Sequence, residues 1–141
     1  MRPEPWLVTG AMLSAAAALL HLAIIAGGPG WYRFFHAGEK MAMMAERGEV
    51  RPWLMTLGIA AVLAVFAAYA LSAAGVLPRL PLLRLALLGI TGVYLARGLA
   101  LVPLQIWKPA LVDNFIVWSS LIVLVYGIVH AVGTWQAWPD L

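Results

Sequence analysis

Four apolar runs, each of about twenty residues, alternate with short polar segments along this chain. A bilayer core about 30 Å thick needs ~20 apolar helical residues to cross it. The first run is Trp6 to Ala26, with His21 as its one strongly polar residue. The second is Pro52 to Ala74, opening on a proline at the tolerated first-turn position. The third spans Leu82 to Leu104 and the fourth Phe115 to Gln136. Backbone groups in lipid must be bonded within their own segment, so these runs predict helices. The first run is too long for a usual signal-peptide core, follows Glu4 and has no small-residue cleavage pattern before Gly27, so it is expected to be a retained helix.

The connections are unequal. "GVLPRLPLLR" (75–84) reads as a tight turn broken by prolines, with Arg79 and Arg84 at headgroup level. "KPALVDN" (108–114) is also short. Residues 27–51 form a longer loop, in which Phe34, Ala37, Met41 and Met44 recur at helical spacing while Glu39, Lys40, Glu46 and Arg47 lie largely off that stripe. The pattern predicts one short amphipathic helix, lying in the interface or capping the helices. With short links between the second, third and fourth spans, the expected architecture is a single all-α transmembrane domain over residues 1–141. It is an up-down four-helix bundle with an interfacial helix in the first loop.

Composition supports this. The chain is 64% hydrophobic and 11% charged, whereas a soluble domain keeps about a quarter of its residues charged. The absence of cysteine excludes disulfides, thiolate metal sites and thiol nucleophiles. A net charge of +3 without a basic block offers nothing to nucleic acid. The seven tryptophans fall at or near predicted span ends, Trp6, Trp135 and Trp138 on one side and Trp31, Trp53, Trp107 and Trp118 on the other, as aromatic belts require. An even span number places both termini on one side, here side A, with the long loop on side B. Arg2, Arg79 and Arg84 make three cations on side A. Arg33, Lys40, Arg47, Arg51 and Lys108 make five on side B. The positive-inside rule therefore leans toward side B facing the cytoplasm, by a thin margin. The belts and the high Ala, Leu and Gly content suit a bacterial inner membrane.

Lipid tails solvate leucine as well as another helix does, so helices associate where small residues let backbones approach. Stripes at four-residue spacing are present in each span. They are Gly10, Ser14 and Ala18; Ala60, Ala64, Ala68 and Ser72; Gly92, Ala96 and Ala100; and Ser119, Gly127 and Ala131.

One charge is out of place. Arg97 sits in "GVYLARGLAL", ~3 Å from the midplane of its span toward side B. His21 lies ~7 Å toward side B, and Thr56, Ser119 and Ser120 ~10 Å, while Tyr94 is near the centre. Arg97, His21, Thr56, Ser119 and Ser120 form a candidate polar layer. Tyr69 and His130 form a second one, ~7 to 9 Å toward side A. No span contains Asp or Glu, and a buried charge needs compensation. Three solutions are open to Arg97: snorkelling to lipid phosphates, pairing with Glu39, Glu46, Glu49 or Asp113, or gripping an anionic ligand. Glu39, in "FFHAGEK", is the favoured loop acid.

The remaining chemistry is thin. A lone transmembrane histidine is more often a neutral packing residue than a ligand. A haem shared by His21 and His130 is not expected, because their depths differ by ~14 Å. No metal site, cofactor or catalytic constellation is expected. The leading expectation is a protein that binds or carries an amphiphile with an anionic head, held by Arg97, His21, Glu39, Tyr94, Thr56, Ser119 and Ser120. The alternative is an accessory subunit, homo-oligomeric or joined to another membrane protein, with Arg97 as glue. A lipid- or quinone-modifying enzyme using His21 or Glu39 as acid/base ranks third.

Overall fold

The computed structural model describes residues 2–141, and every regular element among them is helical. In chain order these are α1 (Pro5–Gly27), α2 (Pro29–Phe34), α3 (Glu39–Glu46), α4 (Arg51–Ala73), α5 (Leu83–Leu99), α6 (Leu101–Trp107) and α7 (Asn114–Ala137). Single 3-10 turns cover Pro109–Leu111 and Trp138–Asp140. Four helical segments are long and apolar enough to cross a membrane: Pro5–Gly27, Arg51–Ala73, Leu83–Trp107 and Asn114–Asp140. All seven tryptophans are exposed on the outer surface of these helices and their flanks.

Local chemistry sets the helix ends. Glu4 precedes Pro5 and accepts the N–H of Leu7 at 2.6 Å, satisfying an open donor of α1. Asp113 does the same for α7, accepting from Ile116 at 2.8 Å. The third span is interrupted between Leu99 and Leu101. Pro103 supplies the reason: it has no N–H for the carbonyl one turn back, and its ring crowds that carbonyl.

The long loop also departs from the expected single helix. It forms α2 and α3, separated at His36 (φ 56°) and Gly38 (φ 103°). Positive φ at these positions ends one helix and redirects the chain before the next. The buried face is consequently Tyr32, Ala42 and Met44, while Phe34 is exposed.

The chain divides into two compact units, one of residues up to Leu13 with Phe66–Leu141, the other Ser14–Val65. In the first, α5 and α7 pack closely and antiparallel. A Cβ placed on Gly98 would lie 2.7 Å from the Leu124 backbone, and one on Gly127 would lie 2.7 Å from the Leu95 side chain. The beginning of α1 packs on α7 in the same way: a Cβ on Gly133 would meet Leu7 at 2.7 Å, and one on Gly10 the His130 ring at 2.9 Å. Leu7, Ala74, Leu83, Leu87, Ala137 and Leu141 form the buried cluster at one end of this unit. In the second unit, Ile24, Tyr32 and Ala42 form the core.

These contacts revise the small-residue stripes. On α1, Gly10, Ser14 and Ala18 are buried as expected. On α5, Gly92, Ala96 and Ala100 face outward and nothing lies within 4 Å of a Cβ on Gly92. The packed face is Leu87, Ile90, Tyr94 and Gly98. On α4, Ala60 and Ser72 of the expected stripe are buried, but Ala64 is exposed and Ala68 only half-buried, and burial runs instead through Leu63, Ala67 and Ala70.

Candidate functional site

Arg97 lies in the last turn of α5, where a cation complements the helix dipole. The α5–α7 register follows from two contacts, Gly98 with Leu124 and Leu95 with Gly127, which place the Arg97 backbone level with Val125. Its guanidinium does not stop there. Nη1 donates to the Ser120 hydroxyl at 2.8 Å and Nη2 to the Ser119 hydroxyl at 3.2 Å. Ser120 stands five residues from Val125 in the direction of Asn114, so the side chain climbs ~7 Å along α7.

The serines are arranged to receive it. Ser119 donates its own hydroxyl hydrogen to the Ile116 carbonyl at 3.2 Å, leaving its oxygen lone pairs for the guanidinium. Ser120 is buried and Arg97 is exposed on the outside of the helix pair. Two neutral hydroxyls orient the group but leave its charge in place. Among the described residues no carboxylate pairs with it. A guanidinium has five N–H donors, so three remain for another acceptor.

Position along the helix gives this charge a context. Ser120 and Trp138 are eighteen residues apart, or ~27 Å along α7. Trp138 is the residue at which Arg84 docks, its Nη2 donating to the Trp138 carbonyl at 3.3 Å and its guanidinium lying 5.0 Å from the centre of the indole. The two guanidinium levels are thus separated by close to the thickness of a hydrocarbon core, about 30 Å.

The other candidate residues take local partners. Tyr94 is buried in an aromatic group, its ring centroid 5.7 Å from Phe66, 5.4 Å from Tyr126 and 5.0 Å from His130. His130 donates Nδ1–H to the Tyr126 carbonyl at 2.7 Å, and His21 donates Nδ1–H to the Ala17 carbonyl at 2.7 Å. In both, the carbonyl one turn back fixes the tautomer, because a carbonyl can only accept. Tyr69 donates to the Pro81 carbonyl at 3.1 Å and so belongs to the turn after α4 rather than to a layer with His130. Thr56 donates to the Pro52 carbonyl at 2.8 Å and accepts from Tyr32 at 2.9 Å. Its one hydrogen is committed to Pro52, so Tyr32 is the donor. Asp113 caps α7.

Glu39 pairs with Arg33, which also meets Glu46 at 2.6 Å, and Arg47 pairs with Glu49 at 3.0 Å. Arg33 and Tyr32 are the residues missed in the sequence. They sit in α2, ahead of the break at His36 and Gly38, beyond which helical spacing counted from one helix no longer predicts its contacts with the next. The bond from Arg33 holds the Glu39 carboxyl below the usual carboxylate range, and Arg33 is raised by Glu39 and then Glu46. A depressed folded value makes the pair's contribution complete above the unfolded value, about 4.3, and lost as pH falls through the lower folded one. Amide protection over residues 39–46, corrected for intrinsic exchange, is expected to fall in that acidic window toward the level of Glu39→Gln. A wild type that differs from Glu39→Gln equally at pH 7 and pH 3 contradicts the assignment. The effect is small, because the pair is exposed.

Among the described residues no group of three or more His, Cys, Asp or Glu is placed to hold a metal ion. No protein-family model, curated protein or solved structure matches this chain.

Proposed function

We propose that this is an integral membrane protein that binds an amphiphile with an anionic head at Arg97. In this reading the four apolar helices cross the bilayer in up-down order. The α2–α3 segment lies in the interface on side B, the side toward which the Arg97 guanidinium reaches. One observation carries the proposal: a guanidinium exposed on the outer face of α5, positioned by the Ser119 and Ser120 hydroxyls and carrying no carboxylate partner among the described residues. Its remaining N–H donors suit the paired oxygens of a phosphate or carboxylate. The ligand's apolar tail would lie along the outer surface of α5, where Val93 and Leu99 are exposed.

A second reading rests on the outward stripe of Gly92, Ala96 and Ala100 beside Arg97. Small residues facing lipid let the backbone of a partner helix approach. An accessory subunit would use that face and pair Arg97 with a carboxylate of its partner.

Native mass spectrometry from mild detergent separates the two, with wild type beside Arg97→Leu. The first reading predicts a co-purifying adduct of lipid mass that is lost in the still-folded variant. Identical lipid adducts on both proteins overturn it. A protein-sized partner lost in Arg97→Leu establishes the second reading in its place.

A further inference from the structure

We propose that the turn between α4 and α5 is a second, separate site, which takes the phosphate of an anionic phospholipid at the membrane surface on side A. Residues Arg79 to Leu85 line a cleft of about 500 Å³, with a guanidinium at either end of the segment and leucine and proline between. Both arginines are exposed and each is held by one neutral carbonyl of the 3-10 turn that follows α7. Arg79 donates to Asp140 O at 3.4 Å and Arg84 to Trp138 O at 3.3 Å. Carbonyls orient a guanidinium without cancelling its charge, and among the described residues neither arginine has an ion pair. Two positive charges therefore stand beside one cleft.

The cleft is built rather than incidental. The buried Ser72 hydroxyl donates to the Pro78 carbonyl at 2.9 Å and accepts the Leu80 N–H at 3.0 Å. Tyr69 holds the Pro81 carbonyl. Two side chains of α4 thus fix the turn on either side of Arg79 before any ligand arrives. Leu82 then adopts a left-handed backbone (φ 56°), unusual for leucine, and its side chain is 73% exposed, with Leu85 65% exposed. An apolar pair standing out beside two guanidiniums matches one kind of occupant, a phosphate joined to acyl chains. A free inorganic phosphate would use the charges and leave the leucines without a role. The site also lies at the end of the apolar spans, and Trp138, stacked under Arg84, is the residue type that sits at headgroup level.

The inference needs the chain to lie in a bilayer but is independent of the Arg97 site, and one experiment keeps the two apart. The full-length protein in mild detergent is titrated with an equimolar mixture of phosphatidylglycerol and phosphatidylcholine and followed by native mass spectrometry. Wild type is compared with Arg79→Gln/Arg84→Gln and with Arg97→Gln. The wild type is expected to prefer phosphatidylglycerol, and the double variant to bind it about tenfold to thirtyfold more weakly at one site. Arg97→Gln is expected to retain that site whether or not it loses its own. Leu82→Asp offers a check that leaves both arginines and their carbonyl bonds in place. Aspartate tolerates the left-handed backbone and brings a negative charge to the cleft, so it should produce the same selective loss. Equal uptake of the two lipids by wild type overturns the proposal. So does unchanged phosphatidylglycerol affinity in Arg79→Gln/Arg84→Gln or, should that variant not fold, in Leu82→Asp.

Discussion

Replacing Gly98 by leucine is expected to destabilise the protein severely, while the same replacement at Gly92, six residues earlier on the same helix, is expected to be nearly silent. At Gly98 the new Cβ alone would lie 2.7 Å from the Leu124 Cα and 2.8 Å from its backbone nitrogen. Backbone cannot turn aside as the end of a flexible side chain can, so α5 and α7 would have to separate. Overpacking of a well-packed seam costs about 1–3 kcal/mol, and a leucine driven against main chain belongs at or above the top of that range. At Gly92 nothing lies within 4 Å of the added carbon, and the side chain would point away from the α5–α7 seam. A helix-interior glycine is itself worth about 0.5–1 kcal/mol less than alanine, so Gly92→Leu is expected to hold or raise stability. Unfolding in mixed micelles with increasing denaturing detergent, read by circular dichroism, measures both. Equal midpoints for the two variants would refute the α5–α7 register, and with it the placement of the Arg97 guanidinium.

Arg97→Glu is expected to give the largest change in ligand preference. The substitution keeps an ionised group on the same face of α5, on a shorter side chain that stops below the level of the Ser119 and Ser120 hydroxyls. It reverses the charge presented to the ligand. A charge at the membrane surface is worth about 1 kcal/mol toward an anionic lipid, so a change of two charges corresponds to a factor of about thirty. Titration with phosphatidylglycerol and phosphatidylcholine should show anionic preference at this site abolished, with zwitterionic lipid bound no worse than before. Unaltered selectivity in a folded Arg97→Glu protein means that the charge is not what the site reads.

The helices were legible in the sequence because a bilayer imposes a length and a polarity that few residues can violate. Observed and expected spans differ by only a few residues at their ends, as helix boundaries usually do. The interruption near Ala100 departs from the single unbroken span expected over Leu82 to Leu104, because apolar length runs straight across it; Pro103 is its physical cause. Helix faces were harder. Lipid accepts glycine, alanine and leucine alike, so nothing in composition distinguishes the outward Gly92, Ala96 and Ala100 from the inward Gly98. Only the neighbouring backbone does. On α1 the choice was simpler, since Gly10 and Ser14 lie on the same side as Leu7, which is fully buried.

For the candidate site, depth could be read and partnership could not. Counting along the helices places Arg97 and the two serines a side chain's length apart, but the α5–α7 register is needed to bring them onto adjoining faces. The histidines illustrate the opposite limit. Each satisfies Nδ1 within its own helix, so its depth carried no information about a partner. In the loop, the ion pairs of Arg33 with Glu39 and Glu46 follow from a chain reversal at His36 and Gly38 that no periodic pattern records.

The central claim is that the Arg97 guanidinium, lifted to the level of Ser119 and Ser120, meets the anionic head of an amphiphile. Carbon–phosphorus dipolar recoupling by solid-state NMR tests it most directly. The protein is labelled at the arginine guanidinium carbon, reconstituted in phosphatidylglycerol-containing bilayers, and compared with Arg97→Lys to isolate this residue's contribution. The account predicts a phosphorus-dephased component that disappears in Arg97→Lys, placing the Arg97 carbon in hydrogen-bonding contact with a phosphate. Identical dephasing in the two proteins would show that no phosphate reaches Arg97 and would contradict the account for phospholipid heads.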